Sequence, residues 1–276
     1  MTTSINIADK CQALELVKYT ESNQESYQIR TISVPQPKDN SNDLLVKIHS
    51  VGINPFDSME RNGYGHTLLS VTGKIDSELP RILGRDAIGT IVKIGQGKTQ
   101  EKYRVGDHIW ISADPLRLGT FTEYMICTHD ECGLLPENYN TKDKWIELTA
   151  IPFGMTTAWT ALVATGKVST DRESGLGKKA FLHGSGGTVG LAVISILRYF
   201  KWSTIVVTCQ GQNQVEELRP LVTEVIDVEE QKEFADELKC TKKGEFDFFL
   251  DGVGGAQSED LAKTILKLNG HFVTLR

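Results

Sequence analysis

Seven residues in the second half of the chain, Gly184-Ser-Gly-Gly-Thr-Val-Gly190, have the composition of a backbone cradle for an anion. The glycines leave the main-chain N–H groups of a turn uncovered, so a phosphate can approach them closely. A helix that starts there adds its dipole, which favours negative charge at its N-terminus. The run follows the apolar segment Lys179–His183, which reads as a strand, and opens Val189–Phe200, which reads as a helix. A dinucleotide pyrophosphate site requires that strand–turn–helix setting. The spacing is G-x-x-G-x-x-G, because Val189 stands where the third glycine of G-x-G-x-x-G would fall.

The next informative position is the end of the following strand, Thr204–Thr208, at Cys209 and Gln210. A site for NAD usually carries an acid here, about 20 residues past the glycines, to hold the ribose 2′-hydroxyl. No Asp or Glu lies between Gly190 and Gln214. NADPH is therefore the expected cofactor, although no Arg or Lys follows the strand to grip its 2′-phosphate. Glu229-Glu230 and Lys242-Lys243 read as solvated charges. Other chemistries have less support. The five cysteines are widely spaced with no C-x-x-C pair, which argues against a disulfide framework and a four-cysteine zinc site. Ser185 lies in the glycine turn but G-x-S-x-G is absent, so a hydrolase elbow is excluded. His66, His108 and His183 read as structural. Tyr64 is a better proton-donor candidate.

These residues need elements to hold them. Up to about residue 130, short apolar runs (Leu44–Ile48, Ala87–Ile94, His108–Ser112) alternate with Gly, Asp and Asn turns, a β-rich pattern. Past Pro152 the pattern changes. Met155–Thr165 reads as a helix, then strands (Lys179–His183, Thr204–Thr208, Glu224–Val228, Phe246–Leu250, His271–Leu275) alternate with helices (Val189–Phe200, Gln214–Leu221, Lys232–Leu238, Glu259–Leu268). Such alternation implies a parallel sheet covered on both faces. The chain of 276 residues suits two domains, expected at 1–150 and 151–276. Its net charge of -6 disfavours nucleic acid as a partner. No apolar run approaches the roughly 20 residues of a membrane span, and Met1–Lys10 has no targeting character.

Several segments, in order, resemble one family. Asn54-Pro-Phe-Asp57 with Arg61-Asn-Gly-Tyr64, Leu83–Gly89, Val105-Gly-Asp107, Gly119–Tyr124, Ile151-Pro152 with Thr157-Ala-Trp159, and Phe246–Gly255 are similar to the zinc-free, quinone-oxidoreductase-like medium-chain dehydrogenases/reductases. Gly63-Tyr-Gly65 and the long insert before Leu83 are most similar to the mitochondrial reticulon-interacting oxidoreductases. The resemblance implies an α/β protein, a GroES-like β-barrel domain followed by a Rossmann domain, with NADPH between them. It implies a hydride transfer to a quinone or activated enone, and a link to ubiquinone metabolism. Gly186, Thr188 and Val189, with Ser185 and Gly187, would cradle the phosphates. Gln210 would lie by the adenosine ribose, Val228 by the adenine, and Gly252, Val253 and Leu275 by the nicotinamide. Asn54 and Thr157 would face the nicotinamide from the first domain, with Asn54 and Tyr64 as the catalytic candidates. Zinc-dependent relatives carry Cys and His where Asn54 and Arg85 stand, so no metal is expected. A mitochondrial location follows from the resemblance, a cytoplasmic one from the absence of a visible transit peptide. The family continues past the fifth Rossmann strand, so the chain is expected to lack its C-terminal part, which makes a homodimer doubtful. A non-catalytic NADPH-binding adaptor or redox sensor is the competing expectation.

Overall fold

The computed structural model describes residues 7–20, 23–38, 41–66, 79–97, 102–139 and 141–275. Most of the insert before Leu83 lies outside them. The chain divides into two compact units, Met1–Phe153 and Gly154–Arg276. The boundary falls inside the helix Pro152–Trp159.

The first unit is an antiparallel β structure. Its main sheet runs β7 (Tyr124–Thr128), β3 (Asp43–Gly52), β5 (Asp86–Ile94), β6 (His108–Ser112), β8 (Cys132–Leu134). A second sheet joins β1 (Lys10–Leu16) to β2 (Tyr27–Ser33) and β4 (Arg81–Ile82), and a bridge from Ala13 to Thr122 links the two. Neighbouring residues of a strand point to opposite faces. On β3, Leu44 and Val46 enter a core with Ala87, Ile91, Ile109 and Ile111. Leu45 enters another with Cys11, Val34 and Val92. Both faces of β3 are therefore covered, which is why Leu44-Leu-Val46 is an unbroken apolar run.

The second unit is a doubly wound parallel sheet of β11 (Glu224–Asp227), β10 (Thr204–Cys209), β9 (Lys179–His183), β12 (Phe246–Asp251) and β13 (Leu266–Thr274), in that order. Leu182, Val207 and Leu250 pack on one face with the helix Thr188–Tyr199. Phe181, Val206 and Phe249 pack on the other with Leu238, Leu261 and Ile265. This is the expected Rossmann arrangement.

Several boundaries differ from expectation. The helix expected over Met155–Thr165 is α-helical to Trp159 and continues as a π-helical stretch, Thr160–Thr165. The helix expected at Gln214–Leu221 is Gln212–Leu218, with Arg219 still in helical geometry as its cap and Pro220 just beyond. Lys232–Leu238 becomes Phe234–Thr241, and Glu259–Leu268 becomes Ala256–Ile265. In β13 the register shifts after Leu266, and His271–Thr274 pair regularly with Phe248–Asp251. No single helix among the described residues is long and apolar enough to cross a membrane.

Candidate dinucleotide site

The glycine turn leaves β9 at Gly184, whose φ of 80° suits a residue without a Cβ. It is stapled to β10. The Gly184 N–H donates to Thr208 Oγ1 (2.8 Å) and the Ser185 N–H to the Thr208 carbonyl (2.8 Å). The Ser185 hydroxyl turns inward and donates to the Leu182 carbonyl at 3.1 Å. Ser185 is buried, so it braces the turn from within, whereas the sequence suggested a phosphate contact. A Cβ on Gly190 would stand 2.5 Å from Ser185 Cα, so only glycine lets the helix Thr188–Tyr199 seat against the turn. A Cβ on Gly186 would run into the Gln214 carboxamide. Gly187 precedes the helix in extended conformation. Thr188 opens it, exposed, with its methyl where a Cβ on Gly154 would need to be. Val189 packs toward the core and offers only its backbone.

A cleft of about 470 Å³ opens at the C-terminal ends of β9 to β12. Open parallel sheets bind ligands at that end, where the strand order reverses, here between β9 and β12. Of the residues singled out from the sequence, Gly186, Gly187, Gln210, Val228 and Val253 line it. Ser185, Thr188, Val189, Gly252, Leu275 and Thr157 do not. Gly252 donates its N–H to the His183 carbonyl (2.9 Å), and Leu275 donates its own to the Asp251 carbonyl (2.9 Å). Thr157 belongs to the second unit, where the resemblance placed it on the first domain. The lining also includes Gln214, Lys232, Phe234 and Gln257, which sequence reasoning missed. Burial lowers the His183 pKa, with Asp251 partly opposing. Its Nδ1 lies 2.8 Å from Thr208 Oγ1, so this histidine is a strut of the turn.

Glu229 is exposed, as expected of a solvated charge, but it is not without a partner. Gln210 Nε2 donates to its Oε1 at 3.0 Å. Asp227, buried at the end of β11, accepts the Gly211 N–H (3.1 Å) and the Glu229 N–H (3.0 Å) on the same Oδ1. The turn after β11 thus sets a carboxylate beside Gln210, although no acid lies in the sequence between Gly190 and Gln214.

In the first unit Asn54 precedes the helix Pro55–Arg61 and is buried. Its carboxamide donates to Asp86 Oδ2 (2.7 Å) and its N–H to Asp57 Oδ2 (2.6 Å). Asp86 Oδ1 accepts the Phe153 N–H at 2.6 Å. Burial pushes the Asp57 carboxyl up to about 6, against the pull of the Asn54 N–H and Arg85. Burial also raises Asp86, moderated by its bonds from Asn54 and Phe153. Arg85 is fully buried and pairs with Glu60 through Nε (3.1 Å) and Nη2. Its Nη1 donates to the carbonyls of Asp114 (3.2 Å) and Arg117 (3.3 Å). Tyr64 is 54% exposed and meets Phe56 edge-on at 5.9 Å. Among the described residues no three His, Cys, Asp or Glu side chains are grouped to hold a metal ion.

The alcohol dehydrogenase GroES-like domain family matches residues 40–137. The mitochondrial NAD(P)H oxidoreductase RTN4IP1 of Dictyostelium discoideum is 30% identical over 247 residues, covering 87% of this chain and 65% of that protein. The chain thus spans just under two thirds of this relative's length. A solved alcohol dehydrogenase superfamily protein from Novosphingobium aromaticivorans superposes with a TM-score of 0.74 at 25% identity, covering 96% of this chain and 72% of the other. The quinone oxidoreductase from Coxiella burnetii gives 0.73 at 23%, covering 95% and 74%. A GroES-like domain followed by a glycine-turn Rossmann sheet, together with these likenesses, makes the chain similar in sequence and fold to the medium-chain dehydrogenases/reductases.

Proposed function

We propose that this chain binds a nicotinamide dinucleotide and takes part in reducing a small electrophile, a quinone or activated enone, without zinc. The observation that carries the reading is the glycine turn with its cleft at the β9/β12 strand reversal. The residues fit the cofactor: the turn is held from inside by Ser185 and Thr208, its outer side is open at Gly187, and over Gly186 it meets only the end of the Gln214 side chain. Gly186 and Gly187, with the N-terminus of the helix Thr188–Tyr199, would hold the pyrophosphate, and Gln210 and Val228 the adenosine. The bound nicotinamide supplies the hydride. The chain's own part is to bind, to orient and to exclude water. The zinc-free reading is supported by Arg85, whose guanidinium is committed to Glu60 where zinc-dependent relatives carry a ligand.

By resemblance, Asn54 and Tyr64 would act on the acceptor side. Asn54 is held rigidly by Asp86 and Asp57, which suits an orienting group more than a proton donor. That commitment also favours the second reading, a dinucleotide-binding adaptor or redox sensor. The names of the similar oxidoreductases support a mitochondrial setting.

The test is to follow oxidation of NADH and NADPH at equal concentration with a panel of quinones, alongside thermal unfolding with each dinucleotide. Turnover is the expected result. Stabilisation without turnover would favour the adaptor. The absence of both turnover and stabilisation would refute dinucleotide binding by this chain.

A further inference from the structure

The adenosine end of the cleft is built around two adjacent turns, one leaving β10 and one leaving β11. Cys209 pairs with Asp227 in register, so the residues following each strand lie side by side. Asp227 locks the two turns together by accepting an N–H from each, and so fixes where Glu229 can stand. Both carboxylate oxygens of Glu229 face the Gln210–Gly211 turn. Oε1 takes the Gln210 carboxamide, and Oε2 lies 3.6 Å from where a Cβ on Gly211 would be.

A 2′-phosphate arriving here would need donors. The two backbone N–H groups of the turn are spent: that of Gln210 on Gln214 Oε1 (3.1 Å), that of Gly211 on Asp227. It would also approach the exposed Glu229 carboxylate, which bonds the cleft-lining Gln210, and like charges repel. A 2′-hydroxyl can instead donate to Glu229, the role an acid plays beside the ribose in NAD sites. Lys232 is the one cation among the residues that line the cleft, and it lies beyond Val228, in the turn before the helix Phe234–Thr241.

We propose that this site selects the dinucleotide with a free 2′-hydroxyl, NADH, over its 2′-phosphorylated form, NADPH. Glu229 is the discriminating residue and Asp227 the positioning residue. The proposal rests on the dinucleotide-binding reading above and reverses the cofactor expected from the missing acid after β10.

The test is calorimetric titration of the whole chain with NADH and with NADPH, which differ only in the 2′-phosphate. The chain should bind NADH tighter by roughly tenfold or more at low salt, and the gap should narrow toward 1 M salt as screening shortens to about 3 Å. Glu229→Gln should bring the two within roughly threefold, since it keeps an acceptor for Gln210 and removes the charge. Lys232→Ala should leave the ratio unchanged. Tighter NADPH binding by the unaltered chain would overturn the proposal while leaving the dinucleotide site standing, and its loss in Lys232→Ala would name the lysine as the phosphate grip. A preference for NADH that survives Glu229→Gln would overturn the role of Glu229. Binding of neither would sink the underlying reading as well.

Discussion

Asp57 offers a measurement that isolates one buried charge. Only 3% of it is exposed, one carboxylate oxygen accepts the Asn54 N–H, and the other has no hydrogen-bond partner. Burial raises its pKa from 3.8 to about 6. In the window between those values the native state holds a proton that the unfolded chain has released. Stability therefore falls as pH rises from about 4 to about 6, and the full penalty stands above pH 6, roughly 3 kcal/mol at most. Asp57→Asn keeps an oxygen for the Asn54 N–H and removes the charge. The variant should match the parent near pH 4 and exceed it by about 1–3 kcal/mol at pH 8, the upper end being that full penalty. Urea unfolding at a series of pH values, followed by tryptophan fluorescence, reads the difference, and other titrating groups cancel between the two proteins. A difference independent of pH, or a variant less stable than the parent at pH 8, would refute the reasoning. It would mean that Arg85 holds Asp57 charged and that attraction outweighs desolvation.

Two further outcomes follow from contacts already described. Gly190→Ala places a methyl against the Ser185 backbone, which cannot swing aside. It should cost about 1–3 kcal/mol and remove the thermal stabilisation by dinucleotide. Glu60→Gln leaves Arg85 buried without its counter-charge, and Arg81 Nη2, 3.8 Å from the same carboxylate, loses it too. The expected loss is about 3–5 kcal/mol in urea unfolding.

What could be read from the sequence follows from how each element is buried. Lys179–His183 and Thr204–Cys209 are covered on both faces, so apolar residues run without a break and the strands are plain. Lys142–Thr149 buries only Trp145 and Thr149, and that helix leaves little pattern to find. Cys132–Leu134 is a strand of three residues, too short for a period to show.

The site divides along the same lines. The glycine turn is local: strand, turn and helix are consecutive, and the chemistry is carried by backbone that glycines leave open. The residue types were less informative than their spacing. Ser185 looked like a phosphate ligand but its hydroxyl is used to close the turn on Leu182. Glu229 is the exposed charge that the sequence suggested, but its partner, Gln210, is 19 residues away and could not be read from it. Only the pairing of β10 with β11 makes them neighbours. An acid beside the ribose can come from either of two adjacent parallel strands whose ends are level. A search confined to the end of the second strand sees one of those two turns. Here Cys209 and Asp227 end level, so the residue two past the third strand stands beside the residue one past the second. The missing acid after β10 was therefore a statement about one turn, and the charge at the site is set by both.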